Sequence, residues 1–381
     1  MNTLNRIYLT EVFRSISHSS IAIFLPIFLL KTGLNVAELS AFYIVMFAFN
    51  ILSSVLSLLF FMNKGNILMA LSLLVRGLFY YSLYSYLNWH ILALTFGLAI
   101  GLYWSVMDLA IIYIPKENRG FKIGILYGLM NTASMIGPII GGFIISYIGY
   151  SELFFTAILL LIPALLSALL IGRFNWDFKQ VDFSFLKKYF NNKLGLIIIL
   201  FTLIYGVISV PSWIYQPILL NRFAGTEFNM GIIQTIVNLL VSISYIAAGR
   251  FFDLNRARII LISALFIEGA SMIIMGISTS IEIFTLGSWA SSFGIALTAA
   301  PFFGLLSRTM SKDKYNSLIF FTSIALGGSR LITIAVLEPL LILGDLTLIF
   351  IILGVIIWIG FATAFLLPKD LFNNKNQVQG E

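Results

Sequence analysis

The feature that most constrains this chain is the length of its apolar runs. Stretches of some twenty or more mostly apolar residues follow one another along nearly the whole sequence, divided by short polar breaks. A helix that crosses the hydrocarbon core of a bilayer needs about 20 such residues, because each adds only about 1.5 Å to a path of about 30 Å. The runs read as twelve spans at about 8–30, 37–61, 66–87, 90–114, 122–148, 152–172, 194–219, 229–249, 257–277, 281–307, 316–341 and 346–367. Barrel strands would alternate in polarity over about 10 residues, whereas these runs are apolar on every side. Composition points the same way. With 60% hydrophobic and 10% charged residues, the chain lacks the roughly 25% charge that a soluble surface carries, and it is far too apolar for a disordered one. The expected class is an all-α integral membrane protein with twelve transmembrane helices.

The few charges are unevenly placed. If the N-terminus is cytoplasmic, 18 of the 23 Lys and Arg residues fall in cytoplasmic segments, two (Lys31 and Arg222) fall outside, and three (Arg14, Arg76 and Arg330) lie within spans. That bias is the positive-inside signal and sets both termini in the cytoplasm of a multi-pass cell-membrane protein. The net charge of +7 is therefore a topology mark, and no nucleic-acid partner is expected. A single Arg6 precedes the first run with no clean small-residue cleavage site, so that run reads as a retained helix rather than a signal peptide. The chain has no cysteine and two histidines, His18 and His90, which excludes thiol chemistry and leaves little for a metal site. No phosphate-binding loop and no nucleophile–histidine constellation appears. No enzyme activity, metal or cofactor is expected.

The longest polar interruption, near the middle, divides the chain into a first bundle of six helices (1–172), a central cytoplasmic loop (173–193), a second bundle of six (194–367) and a cytoplasmic tail (368–381). The polar segment before the fifth span, Lys116-Glu117-Asn118-Arg119, is echoed before the eleventh by Lys312-Asp313-Lys314. A duplicated six-helix unit is one of the recurring architectures of secondary transporters.

Two motifs add to the helix pattern. Gly249-Arg250-Phe251-Phe252-Asp253, with Arg256 and Arg258 behind it, follows the eighth span, and Gly124-x8-Ala133-x3-Gly137-Pro138-x2-Gly141-Gly142 fills the fifth. The first looks like the G-x-x-x-D-R-x-G-R-[RK] loop of the major facilitator superfamily, with Leu254 and Ala257 at two of its basic positions; the second resembles that superfamily's antiporter motif, with Ala133 for one glycine. The sequence thus resembles the major facilitator superfamily over essentially its whole length. The equivalent first-half loop, Met62-Asn63-Lys64-Gly65-Asn66, lacks the aspartate and arginines. The resemblance implies two pseudo-symmetric bundles that give alternating access to a central site, with Gly249, Asp253, Arg256, Arg258, Gly124, Gly137, Pro138, Gly141 and Gly142 as conformational elements. It further implies a secondary transporter of a small molecule, working as a monomer. Because the fifth-span motif is associated with exporters, proton-coupled efflux of a largely apolar compound is the expected direction. An uptake carrier or lipid translocator on the same fold, or a non-transporting scaffold or receptor, are the alternatives.

Ionisable groups at membrane depth are costly, about 2.5–3.5 kcal/mol each for Arg or Asp at a helix centre, so each marks a candidate site. Glu11, Arg14 and His18 share one face of the first span, and Gly97, Gly101, Trp104 and Asp108 share one face of the fourth. Arg14 and Asp108 lie at similar depth and are expected to face each other, with His18 one turn deeper. Asp108, Arg14 and His18 are the proton-coupling candidates. Arg76 and Glu268 fall on spans that the resemblance places at the periphery, and a structural role is expected for both. The substrate candidates are Trp104, Asn131, Tyr205, Ser209, Trp213, Gln216, Asn238, Trp289 and Arg330, a mostly apolar lining with a few polar handles.

Overall fold

The computed structural model describes residues 3–61, 64–112, 119–171, 180–251, 257–308 and 314–365. Among them every regular element is helical: α1 (Thr3–Ala22), α2 (Leu25–Lys31), α3 (Val36–Leu56, continued by a π-turn at Ser57–Phe61), α4 (Gly65–Tyr84), α5 (Trp89–Ile112), α6 (Arg119–Tyr147), α7 (Tyr150–Leu169), α8 (Phe183–Phe190), α9 (Lys193–Ser209), α10 (Tyr215–Ala224), α11 (Glu227–Phe251), α12 (Ala257–Gly276), α13 (Ile281–Arg308), α14 (Tyr315–Ile342) and α15 (Leu346–Ala364). Each of the twelve expected spans corresponds to one helix or one broken pair. Nine segments of the described residues are by themselves long and apolar enough to cross a membrane, and α8 with α9 forms a bent pair that is so when taken together; α9 with α10, α13 and α15 stand at the other three expected positions.

The breaks have local causes. Pro26 stands in the first turn of α2, where its missing N–H costs nothing, and the first span bends at Phe24. Between α9 and α10 the chain turns through short bonds, Val210 N–H to the Val207 carbonyl at 3.1 Å and Trp213 N–H to the Val210 carbonyl at 3.0 Å. Pro211, which has no N–H to give, stands between those two donors. The α10 end is closed by Gly225 at φ +72°, a left-handed C-terminal stop that L side chains rarely adopt. Asn35 opens α3 with a full capping box: its side chain accepts from the Glu38 N–H at 2.9 Å while Glu38 accepts from the Asn35 N–H at 2.8 Å.

One expectation is corrected here. The central interruption is not all loop, because its second part forms α8. Asp182 caps this helix by accepting from the Phe185 N–H at 3.0 Å, and Leu186 and Tyr189 bury one face against α9 and α14. The alternation of Phe183, Phe185, Leu186 and Tyr189 with Lys187 and Lys188 is amphipathic, a pattern that span-length windows overlook.

Helix contacts sort as follows. α1 packs on α6 and α7, α3 on α5, and α4 on α5 and α7; α12 packs on α13 and α15, α11 on α13, and α9 on α14 and α15. Two long seams tie these groups together, α6 against α11 and α3 against α14. Small residues set their closeness. A Cβ on Gly142 would run into the Glu227 carbonyl of α11 and one on Gly231 into the Pro138 carbonyl of α6, while Gly137 and Gly141 let α6 sit against Ser19, Ser20 and Phe24 of the first span. Around the outside, side chains such as Phe60, Leu166, Ile243, Val336 and Ile359 are exposed, a surface suited to lipid and not to water. This is a multi-pass membrane protein.

Candidate functional site

Among the described residues, Glu11, Arg14, His18, Arg76, Asp108, Glu268 and Arg330 lie within the spans, and their partners differ. Glu11 and Arg14, both nearly inaccessible, close on each other: Arg14 donates from Nε to Oε1 at 3.1 Å and from Nη2 to Oε2 at 2.9 Å. The Arg14 guanidinium also lies over the Tyr103 ring, 4.7 Å from its centre. Arg76, buried on α4, donates from Nη1 to His18 Nδ1 at 3.2 Å. An arginine always donates, so His18 accepts at Nδ1 and carries its proton on Nε2. Glu268 on α12 is fully enclosed and accepts from Ser291 Oγ of α13 at 2.8 Å.

The other two charges, Asp108 on α5 and Arg330 on α14, share a cavity of about 180 Å³. Trp104, Tyr127, Tyr205 and Trp213 form its aromatic walls, and Asn50 and Ser54 add polar groups from α3. Arg330 is held from one side only: Nε donates to Ser209 Oγ at 2.7 Å, and the guanidinium lies 5.5 Å from the Phe47 ring centre. No ion pair joins it to Asp108 among the described residues. Both side chains are partly open, and what they open onto is the cavity.

A second cavity of about 230 Å³ lies among α1, α6, α10, α11 and α13, with Asn131, Gln216, Gln234 and Asn238 among its lining residues. Its polar side chains are largely committed. Asn131 Nδ2 donates to the Tyr127 carbonyl at 2.9 Å, Gln234 Nε2 to Asn238 Oδ1 at 2.8 Å, and Asn238 Nδ2 to the Ser134 carbonyl across the α6–α11 seam at 3.1 Å. Tyr127 lines the charged cavity and Tyr245 the second one, and their rings stack at 5.4 Å. That ring pair stands between the two spaces.

Of the substrate candidates, Trp104, Tyr205, Trp213 and Arg330 line the charged cavity, with Ser209 holding Arg330, while Asn131, Gln216 and Asn238 line the second cavity. Trp289 belongs to neither; it borders an open apolar groove with Ile233, Leu240 and Leu286. The expected Arg14–Asp108 pair does not form. Glu11, one helical turn away on the same face, claims both hydrogen bonds of the Arg14 fork and leaves Asp108 to the cavity. His18 likewise meets Arg76 and the Trp213 ring, 6.2 Å away, rather than Asp108. Arg76, on a span that the resemblance places at the periphery, reaches its guanidinium into the bundle to His18. Sequence reasoning passed over Asn50, Ser54 and Tyr127. Asn50 and Ser54, at i and i+4 in an otherwise apolar run, were the available signal.

The antiporter-motif positions Gly137, Pro138, Gly141 and Gly142 lie on α6 along its contacts with α1 and α11, and Gly124 is buried lower on the same helix. Gly249 falls in the last turns of α11, and Asp253 and Arg256 lie outside the described residues. Arg258, at the start of α12, donates from Nη2 to the Phe365 carbonyl at 2.9 Å.

No family model matches the chain. The tetracenomycin C resistance and export protein of Streptomyces glaucescens is 27% identical over 115 residues, 29% of this chain and 20% of that protein. The chain thus matches only about a fifth of that curated relative's length. Two solved structures are similar over nearly their whole length. A bacterial homologue of the iron transporter ferroportin, in an outward-facing state, superposes with a TM-score of 0.68 at 13% identity, covering 96% of this chain and 99% of that one. The human organic anion transporter MFSD10 superposes with a TM-score of 0.64 at 12% identity, covering 95% and 98%.

Proposed function

From the premise that this chain has the major facilitator fold, we propose that it is a secondary transporter that moves a small molecule across the membrane by alternating access. The observation that carries the reading is the charged cavity. Its walls come from α3, α5 and α6 on one side and from α9 and α14 on the other, so any relative motion of these groups changes access to it. The bundles 1–172 and 194–367 are the moving bodies and the segment 173–193 joins them; the segment 368–381 lies outside the described residues. The α6–α11 and α3–α14 seams are the surfaces over which they rock, with small residues keeping the sliding contact smooth. Both termini lie in the cytoplasm, following the distribution of Lys and Arg.

Export is the direction we favour, supported by the fifth-span motif and by the export protein among the relatives. Asp108 is the coupling residue. It is the one described carboxylate among those within the spans that faces the cavity, where it can exchange a proton as access alternates. Arg14 does not share this role, since Glu11 already neutralises it. His18 contributes by pairing with Arg76 and packing on Trp213 of the cavity wall.

The test is flux in vesicles. Purified protein reconstituted with an imposed pH gradient should move at least one solute of a small organic panel, with protons moving in exchange. Asp108→Asn should abolish the gradient-driven component. A wild-type protein that is folded and correctly inserted, yet moves neither solute nor protons, would remove this reading.

A further inference from the structure

We infer that the charged cavity is built for a zwitterionic ligand with an aromatic or flat apolar body, its cationic end on Asp108 and its anionic end on Arg330. This deepens the transporter reading and rests on it for the word substrate, but the site argument stands on geometry alone.

Two opposite charges in a low-dielectric space ordinarily close on each other, as Glu11 and Arg14 do, because an unpaired buried charge is costly. Here they do not. Arg330 is tethered through Nε to Ser209 of α9 and rests on Phe47 of α3, which fixes the guanidinium plane and leaves its two Nη groups without a hydrogen-bond partner among the described residues. Asp108 lines the same cavity, and no hydrogen bond to its carboxylate is made by a described residue. The cavity between them is about 180 Å³, with Trp104 and Tyr127 on its walls.

Each end of this space matches one kind of group. A guanidinium fork with two free Nη groups suits a carboxylate or another planar anion. A lone carboxylate beside tryptophan and tyrosine faces suits an ammonium, which gains from the charge and from the ring quadrupoles together. A purely anionic ligand would leave Asp108 facing it with the wrong sign, and a purely cationic one would do the same to Arg330. Only a ligand carrying both ends satisfies both side chains, and such rejection of the wrong charge is how a buried polar site discriminates. The small volume restricts the ligand to a compact molecule.

The experiment uses the full chain in lipid nanodiscs and two matched probe sets: L-phenylalanine and L-tryptophan (zwitterions), their carboxamides (cations) and their N-acetyl derivatives (anions). Binding is measured by titration calorimetry, and flux of the same probes is measured in vesicles in parallel. The zwitterions should bind at least about tenfold more tightly than either singly charged form, the scale expected when a desolvated charge loses its partner. Asp108→Asn should erase the advantage over the N-acetyl form, and Arg330→Gln the advantage over the amide. Arg330→Lys, which keeps the charge and loses the fork, should bind zwitterion at an intermediate level and guards against misfolding as the explanation. Singly charged probes that bind as tightly as the zwitterions, or zwitterions that fail to bind folded protein, would overturn the assignment. The two readings fail separately. Flux without charge selectivity removes the zwitterion site and leaves the transporter, whereas charge-selective binding without flux removes the transporter and leaves the site.

Discussion

Glu11 and Arg14 lie one turn apart on α1 and satisfy each other through two hydrogen bonds. Asp108 and Arg330 come from different bundles, face the same cavity and do not touch. The residue types are nearly the same, and the surroundings decide what they do. A bidentate pair on one helix needs no further partner, so it holds the bundle together. A guanidinium tethered on one side and a carboxylate facing open space are held ready for something that the protein does not supply. Inside a membrane protein, an ionisable group whose hydrogen bonds are already filled reads as structure, and one whose hydrogen bonds are unfilled at a cavity reads as site.

Four substitutions press on that distinction. The largest expected effect is Asp108→Asn, which should bring gradient-driven flux down to the level of protein-free vesicles while leaving the thermal unfolding midpoint close to wild type. Retained flux would place Asp108 with the structural pair. Next is Glu11→Gln, which strands the Arg14 cation in a nearly inaccessible site. It should destabilise the protein by about 3–5 kcal/mol in detergent unfolding, with flux per folded molecule little changed. Adding Arg14→Met should recover much of the loss. A fall in flux at unchanged stability would instead bring this pair into the transport cycle. Smaller again is Ser209→Ala, which frees Arg330 from its tether. Loss of a hydrogen bond to a charged group is worth about 1.5–3 kcal/mol, and here it should appear as weaker binding of anionic groups, measured by titration, rather than as unfolding.

The smallest effect belongs to another ion pair, Asp182 with Lys314, at the edge of the bundle. Asp182 accepts from Lys314 at 2.6 Å, from Ser184 at 2.7 Å and from the Phe185 N–H at 3.0 Å. These bonds, led by the one from Lys314, hold its carboxyl well below the usual carboxylate range. A lowered folded-state value stabilises the charged form at and above neutral pH. That contribution is lost as pH falls below about 4, the unfolded value, toward the folded one. Docking of α8 on α14 should therefore hold at neutral pH and loosen only in acid, followed as hydrogen exchange of residues 183–190. Asp182→Asn should remove the acid step at little cost in global stability, since exposed pairs contribute little and are screened by salt.

Much of this was legible beforehand. The twelve spans follow from run length, because a bilayer demands about 20 apolar residues in each crossing and the breaks are short. The glycines of the fifth span announced close packing, and Gly137, Gly141 and Gly142 do lie against neighbouring backbones. α8 escaped notice because eight residues are too few for a span window and its signal is one-sided. The aromatic residues were legible as candidates but not by location: Trp213 packs on His18 and Phe47 at the cavity wall, whereas Trp289 lies on an outer groove.

Sequence alone determined that this chain lives in a membrane, how many times it crosses and which few charges are buried, because these depend on composition and on distances along one helix. The tertiary structure decided which charge meets which. By depth Arg14 was placed for Asp108, and the choice fell instead to Glu11, a neighbour one turn away whose two oxygens match its fork. Asp108 was left opposite an arginine more than two hundred positions along the chain, and only packing across the two seams could bring those two to one cavity and keep them apart.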